Sequence, residues 1–269
     1  MLLKKTRSKV LVNVNHFKAL CKRYFALLFS DKVSFFMLLF QAPIMTFIID
    51  FACNKPFNGY LESEMTLFVI ATVCVIMATL NSYREICKER DILIRETNAG
   101  LDSSAYVLSK VVVQGVICLF QALIIVLGTS LYFDFKITKV YSYINYYFFT
   151  FLILMAATCV GLFISAILKN SDSAILPVLF IIIAQVVLSE AIIQLPKNFE
   201  FLSYFAITRW ALGGYGHIFN FQRFKDAGVP VSCAFNSTYA TCVLVLIGIC
   251  ILCIILTIIT VKRLRKKRF

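Results

Sequence analysis

Residues 65–80 read MTLFVIATVCVIMATL and residues 111–128 read VVVQGVICLFQALIIVLG, with no charge in either. Runs like these constrain a chain more than any short motif. In hydrocarbon every backbone amide and carbonyl needs a partner inside the protein, which leaves only helices and closed barrels. A barrel strand would alternate polar and apolar residues over about ten positions. These runs are apolar throughout, so they read as helices. A helix needs about 20 apolar residues to cross a bilayer core, and six segments supply that length: 33–52, 65–83, 106–132, 142–168, 174–195 and 238–261. Composition agrees. The chain is 60% hydrophobic and 15% charged, against about 45–50% and about 25% in soluble domains. The expected fold is an all-α polytopic membrane protein of six transmembrane helices in one domain. Pro43 and Pro177 fall inside spans, where they kink a helix without excluding it.

Charge then sets the orientation. With both termini cytoplasmic, twenty of the 27 Lys and Arg lie on the inner side, in 1–32, 84–110, Lys169 and 262–269. The acids divide equally, so the whole net charge of +13 falls on that face. Lys and Arg bias is what orients a multi-pass chain, and the expected location is a cell membrane, the bacterial cytoplasmic membrane above all. The basic end VKRLRKKRF follows a span directly and reads as an anchor to anionic lipid, not as a nucleic-acid site. No cleavable signal peptide is legible in the first residues.

Ahead of the first span, HFKALCKRYFALLFSDK places Phe17, Leu20, Cys21, Tyr24, Leu27 and Leu28 at helical spacing, with Lys18 and Lys22 on another face. This is the pattern of an amphipathic helix in the membrane interface. Asp31 is positioned to cap the helix that follows. On the outer side, residues 196–237 are too aromatic for a linker. Gly213, Gly214 and Gly216 interrupt them, so a short helix or re-entrant pair over the outer span ends is expected. Asn236-Ser237-Thr238 matches a glycosylation sequon. Of the ten cysteines, only Cys53 and Cys233 lie in outer segments, where a bridge between them is one possibility. His16 and His217 fall on opposite sides, and no nucleophile–base pair or HExxH is present. The chain is therefore not expected to be an enzyme, nor to carry a metal or cofactor of its own.

The exception to all this apolarity is REICKERDILIRETNAGLDSSAYVLSK, residues 84–110. Its first thirteen residues carry eight charges, four of each sign. Asp91 and Arg95 are an i,i+4 pair and Glu85 and Lys88 an i,i+3 pair, both of which favour a helix. Glu85, Glu89, Ile92 and Glu96 share one face, while Ile86, Arg90 and Leu93 share another. Asn98-Ala99-Gly100 would end it, with Gly100 in a left-handed cap. Charge patterning alone leaves two readings open: a helix that docks on another protein, or a solvated connection.

The series Glu85, Glu89-Arg90, Arg95-Glu96, Gly100, Ala105-Tyr106, Ser109-Lys110 resembles the loop between spans two and three of ABC type-2 exporter permeases, in particular the G-subfamily-like members. The amphipathic helix before span one is similar to their elbow helix, and Thr208-Arg209-Trp210 before the last span is similar to a motif of theirs. The resemblance implies that 84–97 is a coupling helix seated against an ATPase domain, with Glu85, Glu89, Arg90, Arg95 and Glu96 as its coupling residues. It also implies a second permease copy or a sister permease. Spans two and five would line a central path, nominating Thr72, Thr79, Gln185 and Glu190. A P-loop needs GxxxxGK[ST], and no Gly here precedes Lys. ATP and Mg would then belong to a separate ATPase chain. Gln114 and Gln121 share a face of span three, and Ala157, Gly161 and Ser165 form a small-residue ladder on span four; both sets suit interhelical packing. A non-transporting scaffold or sensor that recruits a partner through the same helix stays open, as does a polysaccharide exporter.

Overall fold

The computed structural model describes residues 14–53, 59–133, 135, 140–169, 175–192, 196, 198–227 and 232–266, apart from the side chains of Cys233 and of 264–266. All regular structure among them is helical. The amphipathic segment forms α1 (Val14–Ser30), with Leu20 and Tyr24 buried. α2 (Lys32–Ala52) follows at once, capped by Asp31, whose carboxylate accepts from the Ser34 amide at 3.2 Å and its hydroxyl at 2.6 Å. Next come α3 (Tyr60–Ser82), a 3-10 turn (Cys87–Glu89), α4 (Arg90–Asn98) and α5 (Ser103–Tyr132). The charged block is thus a tight turn, a 3-10 turn and a nine-residue helix, where one helix over 84–97 was expected. Gly100 takes the left-handed conformation at φ 109°. There Leu101 N bonds to Glu96 O (2.9 Å) and Gly100 N to Thr97 O (3.2 Å). These two bonds define a Schellman end.

The chain continues through α6 (Val140–Ile167), α7 (Ile175–Val187), α8 (Glu200–Ser203), α9 (Ile207–Ile218), α10 (Gln222–Asp226), a 3-10 turn (Cys233–Asn236) and α11 (Tyr239–Lys266). Among the described residues five helices are long and apolar enough to cross a membrane: α2, α3, α5, α6 and α11. The expected fifth span, 174–195, falls short. α7 has 13 residues, about 20 Å at 1.5 Å per residue, against a core of about 30 Å. The helix stops because the chain turns over Leu188–Ile192, with Glu190 at φ 62°.

α3 is the central post. Leu67, Ile70, Ala71, Cys74, Met77 and Ala78 pack into one core with Ile153, Leu154 and Ala157 of α6 and with Trp210, Ala211, Leu212 and Tyr215 of α9. The small-residue ladder makes this seam possible. A Cβ on Gly161 would lie 2.0 Å from Ser82 Oγ and 3.0 Å from Thr79 O. α2 and α11 run at the periphery with apolar side chains turned outward, Phe47 at 71% and Phe51 at 85% exposure among them. Such outward faces are what lipid contact requires. The three glycines of the late segment do not break it. They sit inside α9, where a Cβ on Gly214 would be 1.9 Å from the Phe149 ring and one on Gly216 would be 2.1 Å from the Phe235 ring. Their function is close approach, and the expected short helix packs at the bundle end opposite α4. Cys53 is a free thiol, and the Cys233 side chain lies outside the described residues.

Candidate functional site

At one end of the bundle the 83–98 segment is bonded to three helices at once. Lys110 is the centre. It is the only charged residue of α5, it is 2% exposed, and its ammonium lies 3.0 Å from Glu89 and 3.4 Å from Glu85. The same ammonium stands 3.7 Å from the centroid of the Tyr24 ring on α1, a cation–π contact strengthened by desolvation. Tyr24 donates its hydroxyl to Glu85 and accepts from Gln114 at 3.4 Å. Tyr106 donates to Glu89 at 3.0 Å, and Lys88 reaches Glu85 at 2.5 Å. Two carboxylates and a buried ammonium therefore satisfy one another, as charge taken out of water demands.

A second set of bonds ties the segment to the end of α6. The Ser165 hydroxyl accepts the amides of Ile86 at 2.9 Å and Cys87 at 3.0 Å, and Arg90 donates to Leu168 O. A third reaches α1, where Arg23 bonds to Glu96 at 2.5 Å. That hydrogen bond pushes the Arg23 guanidinium above its ordinary range, against some desolvation. Beneath the polar layer Leu20, Ile86, Leu93, Tyr106, Leu162 and Val261 form a small core.

The five residues expected to form the coupling site thus divide. Glu85 is buried and, with Glu89, is turned onto Lys110; Arg90 points at α6 and Glu96 at α1. The acidic face expected of Glu85, Glu89, Ile92 and Glu96 is not presented as a unit, because the buried ammonium draws two of its carboxylates inward. Lys88, Asp91, Ile92, Arg95 and Asn98 remain exposed as the outward face. Between α1–α2 and α3–α4 runs a groove of about 1030 Å³, lined in part by Tyr24, Leu38, Gln41, Asn81, Arg84 and Glu89.

The four pathway residues also have places. Thr79 is buried in the α3–α6 seam and bonds back to Val75 O at 2.7 Å. Gln185 accepts the Thr208 amide on its side-chain oxygen at 3.3 Å and the Thr208 hydroxyl on its carbonyl. Glu190 is buried beside Arg209, with Nε to Oε2 at 3.5 Å. Thr72 alone has a buried hydroxyl with no hydrogen-bond partner among the described residues. Gln114 bonds to Tyr24 of α1 and Gln121 to Leu38 O of α2 at 3.4 Å, as interhelical packing predicts. Asn236 is exposed, and His16 and His217 lie at opposite ends of the bundle, on α1 and α9.

Sequence reasoning passed over Tyr24, Lys110, Gln114 and Ser165 as members of this site. A signal existed for two of them: Tyr106, Lys110 and Gln114 are four apart, and side chains so spaced stack on one helix face. Nothing in the spacing ties Tyr24 or Ser165 to Glu85 and Ile86.

The fold is thus a multi-pass helical bundle that buries a paired charge cluster under a short charged helix. The chain belongs to the ABC-2 type transporter family, whose model matches residues 15–220, from α1 through α9. No curated protein matches it. The protein is accordingly a membrane-embedded permease component of an ABC transporter.

Proposed function

We propose that this chain is the membrane-spanning half of an ATP-driven exporter, with the α4 end in the cytoplasm and hydrolysis supplied by a separate ATPase chain. Two permease chains, identical or sister, would enclose the path. The turn and α4 act as the coupling element and α1 as the elbow. The observation that carries this reading is the two-sidedness of residues 83–98. Inward, they are bonded to α1, α5 and α6; outward, they offer Lys88, Asp91, Ile92 and Arg95 to a partner. A partner that pulls on the outward face moves three helices together, because the Tyr24–Glu85, Lys110–Glu85 and Ser165–Ile86 links to them are buried. ATP drives this only by favouring one arrangement of the ATPases over the other. α7, short as it is, stands as the sixth membrane segment. The groove beside Asn81 and Gln41 is the inward-open part of the path. The positive-inside distribution supports the orientation.

The test is recovery of a partner. The tagged chain is purified gently from its native membranes and co-purifying proteins are identified by mass spectrometry, with Asp91→Lys/Arg95→Glu as the control. A P-loop ATPase recovered with the wild type and lost from the control is the expected result. Recovery of cytoplasmic proteins without any ATPase would replace the exporter with a membrane scaffold.

A further inference from the structure

We infer that α7 is a strut joining the coupling turn to a clasp at the far end of the bundle, and that the buried Glu190–Arg209 pair closes that clasp. The inference rests on the reading of 83–98 as the coupling element. At its first end, α7 places Val178 and Ile182 in a core with Tyr83 and Cys87 of the turn and Ile164 of α6. At its other end Val186 packs against the main core, and polar links tie it to the late segment. Gln185 receives Thr208 twice, and just beyond the helix Ser232 Oγ donates to Glu190 O at 3.2 Å. One face of α7 is turned outward, with Leu176 at 76% and Phe180 at 75% exposure. Helices are stiff along their axes, so displacement of the turn reaches Gln185 and Glu190 with little loss.

The clasp itself is built to open. Glu190 and Arg209 are 4% and 3% exposed. Their closest approach is 3.5 Å, and neither Glu190 carboxylate oxygen accepts a hydrogen bond from any described residue. A buried pair without good hydrogen bonds recovers its desolvation cost poorly, so it adds little to stability, and a role in selecting between two arrangements explains it better. Glu190 also holds φ 62°, a conformation that a non-glycine residue keeps only when its surroundings impose it. Arg209 has alternative partners at hand: Ser203 Oγ at 2.7 Å, the half-exposed Glu200 at 3.6 Å and the Tyr204 ring at 4.0 Å. Release of Glu190 leaves Arg209 its bond to Ser203 and its contacts with Glu200 and Tyr204, while α9 loses a polar tie to the α7 end.

A native thiol reports the state of α9. Cys242 on α11 is 0% exposed and lies under Gly213, where a Cβ would approach its sulfur to 3.2 Å. In lipid nanodiscs, labelling of each cysteine by a charged maleimide is read by peptide mass spectrometry. Glu190→Gln and Arg209→Gln should each raise Cys242 labelling about tenfold, within the usual range of a two-state coupling. The charge swap Glu190→Arg/Arg209→Glu should restore protection, which a misfolded variant would not. Val178→Ala, at the opposite end of α7, should raise Cys242 labelling as well. Unchanged labelling in both single variants, or equal labelling in the swap, would overturn the clasp. A response to Glu190→Gln with none to Val178→Ala would overturn the strut. Because the assay needs no ATPase, failure to recover one would remove the exporter reading and leave this result standing.

Discussion

Lys110→Met tests the polar knot most directly. Methionine keeps the length of the side chain and removes the ammonium, so packing against Tyr24 and Tyr106 is largely retained. What is lost is the cation 3.0 Å from Glu89 and 3.4 Å from Glu85. Lys110 is 2% exposed and Glu85 7%, so water cannot take its place without opening the segment. Removing one member of a buried charge pair costs about 3–5 kcal/mol, because the remaining charge stays desolvated. Each 1.4 kcal/mol is tenfold in an equilibrium constant. Local opening of 84–100 should rise by about two to three and a half orders of magnitude. Hydrogen exchange read by mass spectrometry on nanodisc-embedded protein measures that opening directly. The triple variant Lys110→Met/Glu85→Gln/Glu89→Gln should recover most of the protection, since no unpaired charge remains. Unchanged exchange in Lys110→Met would refute the argument. So would a triple variant as labile as the single one, for it would show that shape and not charge holds the segment.

Other expectations follow from single contacts. Ser165→Ala leaves the buried amides of Ile86 and Cys87 without their acceptor; at about 1–3 kcal/mol per orphaned group, those two amides should lose exchange protection before the rest of the turn. Gly161→Val places carbon where Ser82 Oγ and Thr79 O already stand, and a lowered melting temperature of the purified chain is expected, with Gly248→Val, which meets nothing within 4 Å, as the control. At the start of α2 the bonds from Ser34 hold the Asp31 carboxyl below its usual range. A depressed pKa in the folded state means the cap is fully effective above the unfolded value of about 3.9 and is lost as pH falls through the lower folded value. The protection factors of the Ser34 and Phe35 amides, corrected for the intrinsic exchange rate at each pH, should therefore fall on acidification in the wild type and be flat with pH in Asp31→Ala.

Much of this was legible in the sequence because it depends on local rules. Uncharged apolar runs specify spanning helices, and Asp31, Gly100 and the amphipathic α1 specify ends and surfaces within a few residues. The reading failed where distant residues overrule local preference. The 174–195 run is apolar enough to span, yet its helix ends at Val187, since Gln185 and Glu190 are engaged by Thr208 and Arg209 from more than fifteen positions away. Gly213, Gly214 and Gly216 look like breakers by propensity. They are helical because Phe149 and Phe235 need the room. Likewise the face of Glu85 and Glu89 is chosen by Lys110, which no pattern inside 84–97 contains.

The division within residues 83–98 bears on how such a permease changes partner without losing its mechanism. Residues that hold the segment to the bundle are buried and mutually dependent: Lys110 serves both Glu85 and Glu89, and Ser165 serves two amides. Substitution at any of them leaves a charge or donor stranded, so they tolerate little change. Lys88, Asp91, Ile92, Arg95 and Asn98 are exposed, and exposed charge pairs contribute only about 0.2–1 kcal/mol each. On the proposed coupling role, that face would be free to vary to suit a particular ATPase while the inward bonds transmitted whatever force it applied. Specificity and transmission would then lie on opposite sides of one short helix, and exchanging the outward residues between permeases should redirect partner choice without loosening the knot beneath.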